Sequence, residues 1–390
     1  MEKRFKVLLI TAWYPTKEFR VGGDYVREHA KAVSLFDDLV LLHMAGKDQT
    51  LRGWWAMEKE MDQSLTAGIP TYRICYRQPS IPKVSYFISI WSMVQAFRRI
   101  VSRGFRPDII HAHVYEAAVP AVIIGKLYGI PVVVTEHSSE FPRKLLSRFK
   151  IWKARISFRL AELVMPVSGF LQRAIEADGI KARFQVVPNV VDTTLFYSRD
   201  DLMSEKNAKR LLVVSLLDPH DNKGLPFLFK ALDRLRLRRH DWRLDVVGDG
   251  PARPRYEQMV NDLGFASKVT FQGIKTKKEV AELMRKSDIL VLPSLVETFS
   301  IAAAEALSTG IPVLATKCGG PEDFLSPETG CTVAPGSAEA LCDGLDYMLD
   351  NFRHFSSKYM SSYCASLFSP EQIGKRFHSV YLAAINKAWH

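Results

Sequence analysis

The chain has 390 residues, 47% hydrophobic and 24% charged, a balance that fits packed globular domains and excludes a disordered or fibrous chain. At ~100–200 residues per domain, this length implies two domains or one large one. The formal charge is +11, and residues 1–200 hold nearly all of it, with 29 Lys and Arg against 19 Asp and Glu, so an anionic partner is expected to meet that half.

The N-terminus carries Glu2, Lys3, Arg4 and Lys6 before the short apolar run Val7–Ile10, too short for a signal-peptide core. Val7–Thr11, Leu39–His43, Ile109–His113 and Val132–Thr135 are continuous apolar runs, the pattern of parallel strands covered on both faces. The uncharged stretch Val84–Phe97 has 14 residues, short of the ~20 needed to cross a bilayer. Five scattered cysteines without a CxxC fit free thiols in a reducing compartment, so a cytoplasmic protein without a transmembrane helix is expected.

Residues 143–159 hold seven basic residues and no acid, interspersed with Leu145, Leu146, Phe149, Ile151, Trp152 and Ile156. A helix of this kind either lies on an anionic membrane surface or packs on its own domain. Arg143, Lys144, Arg148, Lys150 and Lys153 are the candidates for the membrane or acceptor surface. The β-α pattern stops at the polar stretch 198–209, the expected linker between domains at 1–197 and 210–368. It restarts at Leu211–Ser215, Leu244–Val247, Val269–Gln272, Ile289–Pro293 and Val313–Thr316, with helical spacing between these runs. Residues 369–390 are expected to form a helix that packs back on the first domain. Two Rossmann-like, doubly wound parallel sheets facing a cleft is the simplest α/β arrangement, with ligands at the carboxyl ends of the strands.

The sharpest constellation is Pro293-Ser-Leu-Val-Glu297-Thr298-Phe299-Ser300, followed by a helix that contains Glu305. Free N–H groups at the start of that helix make an anion site for a diphosphate. Glu305 lies ~7.5 Å further along the axis, the distance of a ribose. Glu297 stays on the loop, where a sugar's hydroxyls could be held. Asp221-Asn-Lys223-Gly224 follows the preceding run, and Lys223 is a point charge that can reach the same diphosphate. Gly248-Asp-Gly-Pro and Gly273-Ile274 put small residues at two further strand ends, where a flat base could approach the backbone.

The order Lys-Gly, Gly-Asp-Gly-Pro, PSxxE and Glu-x7-Glu resembles the donor domain of retaining GT-B glycosyltransferases of family 4. The first half is similar to the same family through Gly22-Gly23, Pro107-Asp108-Ile-Ile-His111-Ala-His113, Thr135-Glu-His137, Pro166-Val-Ser168 and Pro188-Asn189-Val-Val-Asp192. The resemblance implies that Glu305 holds the ribose and Glu297 the donor sugar. It further implies that Lys223 meets the diphosphate with the N–H groups of Phe299 and Ser300, and that the backbone near Ile274 pairs with the base. His137 resembles the cleft histidine beside the reacting sugar, and Gly22-Gly23 the loop that closes on the diphosphate. Ser215-Leu216 stand where the family has Gly-Arg, and Val190 where a turn glycine is usual.

The activity implied is transfer of a hexosyl group, with retention, from a nucleotide diphosphate sugar to a glycan or lipid-linked acceptor. UDP is the first expectation for the nucleotide and GDP the second. No cofactor is expected. No metal is expected either, because the chain has no Asp-x-Asp and Lys223 with the helix N-terminus can neutralise the leaving group. His111 and His113 on one strand face are a weak metal pattern. A sugar-nucleotide epimerase of related fold and a nucleic-acid binder are the competing classes. The first lacks Glu-x7-Glu and the second has no nucleic-acid motif to support it, so no nucleic-acid partner is expected.

Overall fold

The computed structural model describes residues 3–19, 22–77, 82–198 and 208–387, so most of the expected linker, residues 199–207, lies outside the described residues. The chain divides into one unit of residues 1–190 with 370–390 and a second of residues 191–369.

The first unit runs β1 (Lys6–Thr11), α1 (Asp24–Ser34), β2 (Asp38–Lys47), β3 (Trp55–Lys59), α2 (Gln63–Thr66), β4 (Thr71–Tyr76) and α3 (Pro82–Ser102). It continues with β5 (Ile109–His113), α4 (Val114–Tyr128), β6 (Val132–Glu136), α5 (Arg148–Leu160), β7 (Leu163–Pro166) and α6 (Gly169–Ala177). The sheet order is β3-β4-β2-β1-β5-β6-β7, with every pairing parallel except the edge pair β3–β4. Val7–Ile10, Ile109, Ile110 and Val132–Val134 are buried, as central strands covered on both faces must be.

The second unit runs β8 (Lys209–Val214), α7 (Leu225–Leu235), β9 (Trp242–Val247), α8 (Arg253–Asp262), β10 (Val269–Gly273), α9 (Lys277–Lys286) and β11 (Ile289–Leu292). After it come α10 (Ile301–Ser308), β12 (Val313–Thr316), β13 (Gly330–Val333), α11 (Ala338–Asn351) and α12 (Ser357–Phe368). Its sheet is parallel throughout, in the order β10-β9-β8-β11-β12-β13, the 3-2-1-4-5-6 order of dinucleotide-binding folds. Without the edge strand β3, the first sheet has the same order. In each sheet the chain direction reverses beside the first strand, and the crevice this opens at the carboxyl ends is where such folds bind ligands.

The last helix, α13 (Pro370–Asn386), packs on α1 in the first unit. Gly374 lies so close to the Ala32 carbonyl that a Cβ would collide with it, and the Asp37 carboxylate meets His378 Nδ1 at 2.9 Å. The division between units falls at Val190, not at residue 197. Val191 N donates to Phe368 O at 2.9 Å and Arg285 Nη1 to Leu195 O at 3.0 Å, so residues 191–196 are bonded into the second unit.

Candidate functional site

In the second unit the expected donor residues line the carboxyl edge of the sheet in strand order. Ile274 follows β10, Gly248 follows β9, Lys223 lies between β8 and α7, and Glu297 lies between β11 and α10. Neighbouring strands are ~4.8 Å apart, so from β10 to β11 the edge spans ~14 Å, the reach of a nucleotide diphosphate with its sugar. Gly248 N donates to Gly273 O at 2.9 Å, which ties the two base-side strand ends together. Ile274 is 68% exposed, open to a planar group.

Lys223 and Glu297 form the centre. Lys223 Nζ donates to Glu297 Oε1 at 2.8 Å, and Ser294 Oγ donates to the same oxygen at 2.7 Å. Burial works against the Lys223 charge, but the adjacent carboxylate more than offsets it and holds the ammonium above its usual pKa. The two loops are fastened to each other by Leu295 N, which donates to Asn222 O at 2.7 Å. Gly224 is left-handed at φ 68, and any Cβ there would strike the Pro293 carbonyl oxygen, so only glycine lets the loops close up. Asp221, also at positive φ, is held by Tyr256 Oη at 2.6 Å and by Arg255.

Beyond Glu297 the backbone passes through Thr298 and Phe299 to Ser300, which caps α10 with its side chain on Ala303 N while its φ is 70. A left-handed non-glycine residue costs on the order of 1–3 kcal/mol and is retained where geometry matters more than stability. The amides of Ile301 and Ala302 stand in the first turn, where a helix has no internal acceptors for them. The Phe299 ring is buried against Phe324 and Phe368, which fixes the helix start. Glu305 lies one turn in, buried, and its charge, after burial itself, helps push the neighbouring Cys364 thiol up to about 12.

In the first unit His137, directly after β6, meets two histidines from other elements. His113 Nδ1 and His137 Nε2 are 3.1 Å apart with stacked rings, and His29 on α1 lies with its ring centroid 5.3 Å from that of His137. Tyr25, four residues before His29 and so on the same helix face, covers His137 at 4.3 Å between centroids. Burial drives all three imidazoles toward the neutral form, His29 down to about 4 and the other two well below the usual histidine value. His111 lies 4.4 Å from His113 between ring centroids, but its own ring nitrogens are satisfied by Tyr381 Oη and Thr135 Oγ1, both at 2.7 Å.

Glu136, buried beside His137, accepts N–H bonds from Tyr115, His137 and Ser138, yet burial still pushes its carboxyl up to about 8. Val114, next to His113, has φ 64, an outlier for a β-branched residue. Gly23, left-handed, begins α1 and its Cβ would collide with the Trp13 carbonyl. Gly22 N donates to Phe19 O at 3.2 Å.

His29, His113 and His137 each offer one ring nitrogen, all within 4.8 Å of one another, and are the metal-capable group among the described residues. Neutral imidazoles suit a borderline ion such as zinc. The closest nitrogen pair, His113 Nδ1 and His137 Nε2, is occupied by its mutual hydrogen bond.

His137 belongs to the first unit, and Lys223, Gly248, Ile274, Glu297–Ser300 and Glu305 to the second. The basic run is divided. Its helix starts at Arg148, not Arg143, because Ser147 caps it. Lys144 pairs with Asp178 and Lys150 with Glu140, and Lys153 sits half-buried over the Tyr86 and Phe149 rings. The sequence motifs contain Glu136, Asp221 and Ser294 but assign them no role, and Tyr25 and His29 lie outside every motif. The i, i+4 spacing of Tyr25 and His29 after a Gly-Gly turn was the available signal.

A Glycosyltransferase Family 4 model matches residues 64–195, and a Glycosyl transferases group 1 model matches residues 208–351. Glycosyltransferase YqgM of Bacillus subtilis is 25% identical over 232 residues, covering 58% of this chain and 63% of that protein. Glycogen synthase of Mycobacterium tuberculosis strain H37Rv is 27% identical over 282 residues, covering 67% and 65%. These matches span less than two thirds of the relatives' own length. Among solved structures, Anabaena Alr3699/HepE in complex with UDP aligns with a TM-score of 0.76 and 21% identity, over 97% of this chain and all of that one.

Proposed function

Because this chain belongs to the group 1 and family 4 glycosyltransferases of GT-B fold, we propose that it moves a hexosyl group from a nucleotide diphosphate sugar to a glycan or lipid-linked acceptor. The donor is a UDP-sugar, with a GDP-sugar second, and the transfer retains the anomeric configuration without a metal ion. A cytoplasmic setting belongs to the same proposal. The observation that carries it is the Lys223–Glu297 pair at the β8/β11 reversal, with the α10 N-terminus directly behind. A cation and oriented amides at one point favour a leaving diphosphate.

Each residue then has a task. Lys223 and the amides of Phe299, Ser300 and the first turn of α10 take up negative charge as the bond from anomeric carbon to phosphate oxygen lengthens. Glu297, held by Ser294, accepts hydrogen bonds from the sugar's hydroxyls. Glu305 accepts the ribose hydroxyls, and the backbone by Gly248 and Ile274 faces the base. The acceptor hydroxyl attacks from the face the phosphate leaves, and its proton passes to that phosphate oxygen. His137, neutral at pH 7, offers a hydrogen bond to the sugar, and Gly22-Gly23 supply the loop that closes over the donor.

Thermal unfolding with UDP, GDP, ADP and their hexose conjugates tests the donor assignment. One nucleotide should raise the melting temperature of the wild type. Glu305→Ala should lose that shift with the bare diphosphate. Glu297→Ala should keep it and lose the increment the sugar adds. No shift with any nucleotide, or identical behaviour of the two variants, would overturn the proposal.

A further inference from the structure

Helix α3 is amphipathic in the wrong sense for a helix facing water. Its inward face carries Ser85, Ser89 and Ser92, all buried, alongside Met93, Ala96 and Phe97. Ser89 and Ser92 turn their hydroxyls onto the helix's own carbonyls at Tyr86 and Ile88, both at 2.7 Å. The outward stripe is Val84, Phe87 and Trp91, spaced i, i+3, i+7, with Phe87 69% exposed. Helix α5 repeats the pattern, burying Ala154, Ser157 and Phe158 and exposing Phe149, Trp152, Ile156 and Leu160.

The two helices meet beside their stripes, through Tyr86, which itself touches Phe87. Tyr86 of α3 lies 6.4 Å from Phe149 of α5 between ring centroids, Lys153 Nζ sits between those two rings, and Phe149 stacks on Trp152. The sequence already suggests that Val84–Phe97 with Arg98 and Arg99 extends the surface of residues 143–159, and the ring contacts Phe87–Tyr86, Tyr86–Phe149 and Phe149–Trp152 are what join the two helices. Neither helix contains an acid, and Arg148, Arg155 and Arg159 border the face on α5 as Arg98 and Arg99 do on α3. Exposed apolar faces of this extent mark interaction sites, and this one has cations around it instead of mixed charge.

We infer that the joined faces of α3 and α5 seat the first unit on an anionic lipid bilayer, with Phe87, Trp91, Phe149 and Trp152 entering the headgroup layer. Aromatic rings partition to that depth, and the bordering arginines reach the phosphates. Complementary charge decides the occupant. Exposed rings with guanidinium groups around them and the Lys153 ammonium among them fit a surface that offers apolar depth and fixed negative charge together. Because Lys144 and Lys150 are spent on acids, attachment rests on ring insertion as well as on charge, and salt weakens it without abolishing it. The inference is independent of the donor chemistry, and its test uses no turnover.

The experiment is flotation of the full chain with phosphatidylglycerol vesicles and with phosphatidylcholine vesicles, at low and high salt. The wild type should float with the anionic vesicles, and lipids brominated near the headgroup should quench its tryptophan emission. Arg148→Glu with Arg155→Glu and Arg159→Glu should cut binding about tenfold at low salt. Phe87→Ser with Trp91→Ser and Trp152→Ser should remove the salt-resistant part and most of the quenching, while unfolding temperature stays at the wild-type value. Absence of vesicle binding by the wild type would overturn the inference. So would a dimer in light scattering that the serine variant makes monomeric, since a second copy would then cover the face.

Discussion

The two units share a strand order and differ in what they place at the strand ends. In the second, opposite charges meet: Lys223 and Glu297 are 2.8 Å apart on loops pinned by Gly224 and Leu295. In the first, the same position in the topology holds neutral rings, with His29, His113 and His137 clustered under Tyr25. Both sites sit beside a non-glycine residue of positive φ, Ser300 in one and Val114 in the other. The fold supplies the place, and burial of the local side chains decides whether it handles charge or hydrogen bonds.

Removing the charge in the second unit should break that contrast most severely. Lys223→Ala leaves Glu297 without its cation and the leaving diphosphate without a counter-charge. A loss of about 10³ in kcat/KM, roughly 4 kcal/mol, is expected from such a group. Steady-state turnover measures it, and a loss below tenfold would move the counter-charge elsewhere.

Acid should break the first unit and spare the second. His29 and His43 have pKa values lowered to about 4 by burial. Their stabilising neutrality is present above about pH 6.5 and is lost as pH falls through 6.5 toward 4, on the order of 3 kcal/mol each by the end. Glu136 has the opposite sign. Its carboxyl is raised to about 8, so its burial costs nothing below about pH 4.5 and progressively more as pH rises to 8. The first unit should therefore be most stable near pH 6–7. The histidines of the second unit, His220, His240 and His354, are exposed. Hydrogen exchange resolved by peptide, at pH 7 and pH 5, should show protection lost within residues 3–190 and kept within 208–369. Equal loss in both units would mean that the buried imidazoles are not the trigger.

The comparison also shows what could be read in advance. Central strands such as Val7–Thr11 and Ile289–Pro293 are legible because burial on both faces demands an unbroken apolar run. The edge strand β3, its neighbour β4 and the four-residue β13 lack such runs, and pairing defines them. Lys223, Glu297 and Glu305 can be named as candidates from the sequence because they lie on or just after local loops of one sheet edge. The histidine cluster was half-found, since α1, β5 and β6 bring its members together from positions 29, 113 and 137. Spacing in sequence holds no trace of that meeting.

Smaller substitutions should sharpen the contrast by separating binding from transfer. Glu305→Ala is expected to weaken nucleotide affinity about 10- to 100-fold, since two ribose hydroxyls lose an acceptor. His137→Ala should leave that affinity unchanged and lower kcat about 100-fold. Calorimetry with the nucleotide diphosphate, set beside kcat, reads both. A His137 variant that binds nucleotide as poorly as Glu305→Ala would show that the first unit takes part in holding the base or ribose.

The smallest expected effect is that of a chelator. In the proposed mechanism Lys223 and the α10 amides take up the charge of the departing diphosphate, and the chain has no Asp-x-Asp to hold an ion against it. Activity after prolonged EDTA treatment should stay within about twofold of the untreated enzyme. A larger fall restored by zinc would place the ion at His29, His113 and His137, the one group among the described residues with suitable nitrogens. His29→Gln distinguishes the cases, because it removes a ligand without touching the Lys223–Glu297 pair. If that variant alone reproduces the chelator effect, the first unit works through a metal and the neutral-ring side of the comparison is lost. If His29→Gln keeps its turnover and EDTA is silent, the histidines act by hydrogen bonding alone.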